Sequence, residues 1–267
     1  MKRYRVKPGA KLDLAKLDAG STHEFKGSKQ GAGELLRELN EKLEKLQEAL
    51  WAEHKHKVLV VLQGMDTSGK DGTISHVFEG VNPLGVRVAS FKAPSSEELD
   101  HDFLWRVHAR APGRGEIVIF NRSHYEDVLA VRVRRLAPPG LWRARYDQIN
   151  DFERLLADTG TVVLKFFLHI DKEEQRKRLQ ERLDDPAKRW KFRRGDLDDR
   201  LHWKDYMEAY EEALSRTSQK WAPWYVVPAN KKWYRNMVVA TILVEALESL
   251  DIQVPEPEEN LAGIVIE

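Results

Sequence analysis

The chain contains no cysteine in 267 residues. That absence excludes disulfides, Cys-ligated zinc, iron–sulfur clusters and thiol catalysis, and it fits a reducing compartment. Long apolar runs are missing too. The longest, within residues 58–62 and 161–170, are strand-sized, and Lys165 breaks the second. A membrane-spanning helix needs about 20 predominantly apolar residues, so no span is expected. No apolar block follows the basic segment Met1 to Pro8, and a signal peptide is not expected. Excess charge of one sign is also lacking. Lys plus Arg total 44 against 43 Asp plus Glu, a formal net charge of +1, which argues against a bulk electrostatic binder of nucleic acid or membrane. These absences predict a soluble, cytoplasmic protein without a membrane partner.

What is present is a globular composition. Apolar residues make up 42% of the chain, enough at this length for one sizeable core with an attached subdomain. Residues 1–30 are polar and aperiodic and read as an arm running over the surface or toward a neighbouring subunit. In residues 32–54, Leu35, Leu36, Leu39, Leu43, Leu46 and Leu50 recur at helical spacing. That stripe packs either on its own domain or against another subunit. Short apolar runs at 57–63, 86–91, 116–120, 162–168 and 224–227 then alternate with helical patterns near 71–80, 96–109, 124–135, 142–158, 172–183, 199–214 and 231–250. Such alternation predicts an α/β fold, with a parallel five-stranded sheet covered by helices on both faces. Ligands of such sheets bind beyond the carboxyl ends of the strands. The organisation expected is therefore an arm (1–30), one domain (31–252) and an acidic, solvated tail (253–267).

The first strand runs into Gly64-Met-Asp-Thr-Ser-Gly69-Lys70-Asp-Gly-Thr, a G-x-x-x-x-G-K motif between a buried strand and a helix. Its glycines let successive backbone N–H groups turn toward phosphate oxygens, and the helix N-terminus adds its positive end. Lys70 would reach the terminal phosphates. The phosphate-binding set expected here is Gly64, Thr67, Ser68, Gly69, Lys70, Asp71, Gly72 and Thr73. Where such loops usually continue with a metal-binding hydroxyl, this chain has Asp71, and Thr73 lies out of register. Asp66 sits inside the loop, where a carboxylate makes sense only with a cation between it and the phosphates. Metal binding should therefore lean on carboxylates.

The third strand continues Asn121-Arg122-Ser123-His124-Tyr125-Glu126-Asp127. Arg122 is placed to grip phosphate with its fork of donors. Ser123 and Glu126 have capping-box spacing, which leaves Glu126 open between capping and function. Asp127 has no capping duty and is expected to hold Mg²⁺ or orient the acceptor. Residues 176–194 carry nine Lys or Arg against three acidic residues, a local +6 that leaves −5 for the rest. Arg178 and Arg182 share a helical face, and a Pro-marked turn delivers Lys188, Arg189 and Lys191. A lid (172–204) closing over phosphates fits this pattern, although a nucleic-acid site could carry the same composition.

Taken together, the segments 64–73, F-K-A-P-S-S-E-E-L-D-H-D-F-L-W-R (91–106), F-N-R-S-H-Y-E-D (120–127), D-D-P-A-K-R-W-K-F (184–192) and A-P-W-Y-V-V-P-A (222–229) resemble the polyphosphate kinase 2 family. The resemblance covers residues 30 to 250. It implies a thymidylate-kinase-like P-loop kinase fold with a helical lid, and Mg²⁺-dependent transfer (Mn²⁺ as a substitute) between inorganic polyphosphate and adenine or guanine nucleotides. Many members have Asp where this chain has Asn121. The N-R-S-H-Y-E-D form is similar to the class III subgroup, which phosphorylates both AMP and ADP. Carried onto this sequence, Asp66, Lys70, Arg122 and Asp127 would be catalytic, with Asp66 and Asp127 handling metal or acceptor. Asn121, Glu126 and Asp127 would meet the nucleotide. Arg122, Arg178, Arg182, Lys188, Arg189 and Lys191 would hold polyphosphate. Ser95 and Glu98 match a capping box, and His101, Trp105 and Arg106 are expected to be structural. The resemblance also suggests a homo-oligomer, dimer or tetramer, and no nucleic-acid partner. The competing readings are an ATP-dependent nucleotide kinase and a non-catalytic P-loop binding module.

Overall fold

The apolar runs become five parallel strands: β1 (Lys57–Gln63), β2 (Val86–Ser90), β3 (Ile117–Asn121), β4 (Thr161–His169) and β5 (Trp224–Pro228). The structure, a computed structural model, describes residues 1–257 and 266. Strand order is β2-β3-β1-β4-β5, so the strand that feeds the glycine loop is central. Val58 to Leu62 are fully or almost fully buried, which matches their unbroken run of β-branched and aliphatic residues. Register sets Leu62 beside Asn121 on one side and Phe166 on the other. The loop after β1 and the segment after β3 therefore leave the sheet side by side.

The helices are α1 (Lys29–Glu53), α2 (Lys70–Val77), α3 (Ser96–Asp100), α4 (Trp105–His108), α5 (Ala130–Val133), α6 (Pro139–Asp158), α7 (Lys172–Asp184), α8 (Arg194–Leu201), α9 (Trp203–Thr217) and α10 (Lys232–Glu248). α1 packs on α10, with Leu39, Leu43 and Leu50 buried. The leucine stripe thus serves its own domain. Burying each such leucine contributes roughly 1.5–3 kcal/mol. α10 also packs on β4, β5 and α2, while α6 packs on β4 and on α9. None of the helices among the described residues is long and apolar enough to cross a membrane.

Three predicted helices are subdivided. Residues 96–109 form α3 and α4, because His101 is extended and the Asp102 carboxylate accepts from the Leu104 N–H to start the second turn. Residues 124–135 form a 3₁₀ turn (His124–Asp127) and then α5. The stretch read as 199–214 is α8 and α9, divided at His202. The Ser95–Glu98 capping box is present with both of its hydrogen bonds.

The arm lies on its own chain. Val6 N–H donates to the Trp224 carbonyl, Arg5 bridges Tyr225 in antiparallel fashion, and the Tyr4 and Tyr234 hydroxyls are hydrogen-bonded. Leu14 is buried, with its N–H bonded to Glu211 at 2.7 Å. These contacts cover the free edge of β5. In the stretch expected to be a solvated tail, Val254 is exposed, whereas residues 258–265 and 267 lie outside the described residues.

Candidate active site

The glycine loop is held in a shape that most residues resist. Gly64 has φ 151°, and a Cβ there would lie 2.8 Å from the Leu168 carbonyl oxygen. Gly69 has φ 101°, and a Cβ there would lie 1.8 Å from Arg235 Nη1. Thr67 is left-handed at φ 67°, a conformation costing about 1–3 kcal/mol in a non-glycine residue. Lys70 opens α2 and folds back under the loop, donating to the carbonyls of Gly64 (2.7 Å) and Met65 (3.3 Å). Burial, reinforced by the positive Arg122, pushes its ammonium pKa down to about 8. Thr67 Oγ1 and Ser68 Oγ are buried without a hydrogen-bond partner. The Thr73 hydroxyl, expected on phosphate, donates instead to the Gly69 carbonyl at 3.1 Å, inside its own helix. The Asp71 carboxylate accepts from Asn121 Nδ2 at 2.7 Å. Gly72 backs onto Arg235.

Arg178 requires a correction. Expected on polyphosphate, it is 5% exposed and gives its donors to the protein. Nη1 donates to the carbonyls of Thr67 (2.9 Å) and Ser68 (3.2 Å), Nη2 to those of Ala229 (2.7 Å) and Asn230 (2.8 Å), and Nε to Glu174 (2.7 Å). Arg235 of α10 donates to the same Ser68 carbonyl at 3.2 Å, and burial together with Arg178 pushes its pKa down to about 9. Two guanidinium groups thus brace the loop from behind. Sequence spacing identified a helical face but not which way it points.

Residues 121–127 form a strap beside the loop. Arg122 is left-handed at φ 60° and donates to Asp66 Oδ1 at 2.8 Å. Burial opposes its charge, but Glu126 and Asp66 outweigh that and hold its pKa above the ordinary value. Glu126 is not half of a capping box. Ser123 Oγ accepts from the Tyr125 N–H, while the Glu126 carboxylate accepts from Gln63 Nε2 at 3.3 Å. Burial raises the Glu126 pKa against the pull of Arg122 and Lys70. Asp127 is paired with Arg145 of α6 at 2.8 Å, and burial raises its pKa against that arginine. The two carboxylates expected on metal, Asp66 and Asp127, therefore each face an arginine. No group of three or more metal-ligating side chains converges among the described residues.

The lid cations are engaged mainly within the lid. Arg182 donates to Asp196 (3.3 Å) and to the Lys191 carbonyl (3.4 Å), Lys188 pairs with Asp185 (2.6 Å), and Arg189 donates to the Leu183 carbonyl (2.8 Å). Lys191 lies over the ring of Trp190, which is 77% exposed at the tip. Burial first, and then the charge of Asp66, raise the Asp196 pKa. The charges of Arg182 and Arg122 oppose that rise.

Sequence reasoning missed Gln63, Arg145, Asp196 and Arg235. Gln63 left a trace, being a polar residue at the end of an apolar run, whereas Arg235 stands beside Asn236 in a mixed stretch. Arg145 and Asp196 left none, because their partners, Asp127 and Arg182, are 18 and 14 positions away in the sequence. His101 stacks on Trp105 at 4.2 Å and Arg106 pairs with Glu98, as expected of structural residues. A cleft of about 380 Å³ runs along β2 from Arg87 and on past Phe91, Lys92, Glu98 and Arg106.

The chain is similar to known proteins in sequence and in fold. The family model for polyphosphate kinase 2 matches residues 26–255. The chain is 62% identical to an AMP/ADP-polyphosphate phosphotransferase of Meiothermus ruber, over the full length of both. It is 46% identical to an ADP-polyphosphate phosphotransferase of Rhodopseudomonas palustris, covering 96% of this chain and 92% of the relative. The crystal structure of polyphosphate kinase 2 from Arthrobacter aurescens TC1 superposes with a TM-score of 0.94 at 45% identity, covering 98% of this chain and 93% of that one. The P-loop kinase sheet, the buried lysine and the arginine strap thus come with a match spanning the whole domain, and the chain belongs to the polyphosphate kinase 2 family.

Proposed function

We propose that this protein is a polyphosphate:AMP/ADP phosphotransferase that moves the terminal phosphoryl group of inorganic polyphosphate to AMP or ADP, reversibly. The observation that carries it is the pairing of a buried Lys70 beneath the glycine loop with Arg122 at its mouth, in a chain 62% identical to an enzyme named for that reaction. The terminal phosphate of the polyanion takes the loop, where backbone N–H groups and the orphaned Thr67 and Ser68 hydroxyls receive its oxygens. Lys70 exchanges its carbonyl partners for phosphate. Arg122 leaves Asp66 to grip the transferring group, and Arg182 with Lys188, Arg189 and Lys191 holds the rest of the chain.

An oxygen of the acceptor phosphate, fixed by Asn121, Glu126 and Asp127, attacks the terminal phosphorus in line. The bond to the next phosphate breaks, and the shortened polyphosphate leaves with the electron pair. The attacking oxygen is already ionised near neutral pH, so no general base is required. Positioning and charge stabilisation carry the catalysis.

A divalent cation fits this donor set. Mg²⁺ keeps several waters and needs only one or two carboxylates besides substrate phosphates. Asp66 stands in the loop with Oδ1 on an exchangeable arginine, and Asp127 is a second candidate. When bound, Mg²⁺ or Mn²⁺ would neutralise phosphate charge. A homo-oligomer of two or four copies, in the cytoplasm, belongs to the same reading; sedimentation of the purified protein tests the assembly.

The deciding assay supplies Mg²⁺, polyphosphate and AMP or ADP, omits ATP, and follows ADP and ATP by chromatography. Product from both acceptors is expected, and none from either would remove the proposal. Lys70→Ala should lower turnover by at least about 100-fold, the scale of losing one dedicated charge-stabilising donor. Near-normal turnover in the folded variant would remove Lys70 from the mechanism.

A further inference from the structure

Beneath the strap lies a charged node that the reaction does not use. Glu153 of α6 and Lys165 of β4 are fully buried and paired at 2.5 Å through Glu153 Oε2. The other oxygen, Oε1, accepts from Tyr125 OH at 2.8 Å and from His124 Nε2–H at 3.2 Å. Lys165 also donates to Tyr125 OH and to the Thr217 carbonyl at the end of α9, each at 2.8 Å. Burial opposes the Glu153 carboxylate, but Lys165 and His124 outweigh it and keep its pKa below the ordinary range.

A buried ion pair is a poor choice for stability alone, since apolar residues of similar volume usually serve as well or better. Hydrogen bonds supply direction, which apolar packing does not. The two side chains held by Glu153 are those immediately before Glu126 and Asp127. His124 Nδ1 has no partner, so Glu153 supplies the ring's hydrogen bond, while Phe120, Tyr125 and Phe152 pack around it. The opposite end of the strap is fastened separately, Asn121 to Asp71 and Arg122 to Asp66. Asp127 is held by Arg145 of α6, the helix that also carries Glu153.

We infer that the Glu153–Lys165 pair, acting through His124 and Tyr125, positions the carboxyl half of the strap, and with it the binding of the acceptor nucleotide, while leaving the polyphosphate half set by the loop. His124, Tyr125, Glu153 and Lys165 are positioning residues, not catalytic ones. The inference rests on the reading above that Glu126 and Asp127 meet the nucleotide.

The test compares KM for ADP with KM for polyphosphate in the full-length protein. Two variants address the node: Tyr125→Phe, which deletes one hydroxyl, and the double variant Glu153→Gln/Lys165→Met, which removes both charges so that neither is left alone. A displacement of about 1 Å can cost about 100-fold, so a rise in KM for ADP of about tenfold or more is expected, with KM for polyphosphate within about twofold. A purely structural role predicts a lower thermal midpoint and less active protein, with both KM values unchanged. Unchanged KM values, or both rising together, would overturn the inference. If the double variant does not fold, Tyr125→Phe decides alone. Glu126→Gln and Asp127→Asn serve as controls. If they move KM for polyphosphate and not for ADP, the acceptor reading fails. The node then survives only if Tyr125→Phe moves that same constant.

Discussion

At the scale of single residues, Lys70 and Arg178 had similar claims in the sequence and prove opposite in use. Lys70 lies in a motif whose geometry is local, so its position under the loop was legible from spacing. Its lowered pKa has a consequence for binding. The ammonium holds phosphate, and free protein loses it as pH rises through about 8. kcat/KM for polyphosphate should therefore fall above pH 8, approaching tenfold per unit, and a profile flat to pH 10 would exclude Lys70 as the titrating group. Stability runs the other way. Below pH 8 the lysine is protonated both folded and unfolded, and burial costs the folded state about 3 kcal/mol; that cost fades as pH rises from 8 toward 10.5. Arg178 sits on a helix whose sequence does not say which way the residue points, and it faces four carbonyls. Arg178→Ala should destabilise the fold by about 3 kcal/mol or more, because those carbonyls lose a charged donor in the interior. Arg182→Ala should leave the thermal midpoint nearly unchanged and raise KM for polyphosphate. The reverse pattern in thermal unfolding and steady-state kinetics would restore Arg178 to the substrate.

At the scale of elements, loop and strap are coupled because β1 and β3 are neighbours in register and both turn at their carboxyl ends. Each turn contains a left-handed non-glycine residue, Thr67 or Arg122, held by its surroundings. Gly69 cannot carry a side chain, since a Cβ would overlap the buried Arg235 guanidinium. Gly69→Ala should fold with a reduced thermal midpoint and lose most of its turnover; a wild-type rate would mean that the loop re-forms around the methyl group. Element existence was legible wherever periodicity ran for ten residues or more, as in the leucine stripe of α1. It failed at 96–109, where His101 is extended and Asp102 starts a second turn, at 124–135, where the 3₁₀ turn opened by Ser123 closes at Asp127, and at 199–214, which divides at His202. Capping-box spacing was met twice and used once. Glu98 caps its helix, whereas Glu126 is drawn to Gln63 by a strand neighbour that no local pattern reveals.

At the scale of the whole molecule, a net charge of +1 hides a lid segment of +6 whose cations are largely paired with lid carboxylates and carbonyls. A polyanion must compete for them. KM for polyphosphate should therefore rise steeply with added KCl and that for ADP much less, because exposed ion pairs are screened. Equal salt dependence of the two would argue against a polyphosphate track along the lid. By itself the sequence determined the α/β class, the parallel strands, the glycine loop with Lys70, and the family. These depend on short-range patterns: apolar periodicity, and glycines where the backbone must turn. Tertiary structure alone decided that the arm and α1 pack on their own domain, that Arg178 and Arg235 brace the loop, and that Asp127 meets Arg145. It also decided that Glu153 and Lys165 meet beneath the strap. Each depends on which face of an element is turned inward and on partners far apart in the chain. That is fixed by how helices dock on a twisted sheet, and no stretch of sequence encodes it locally.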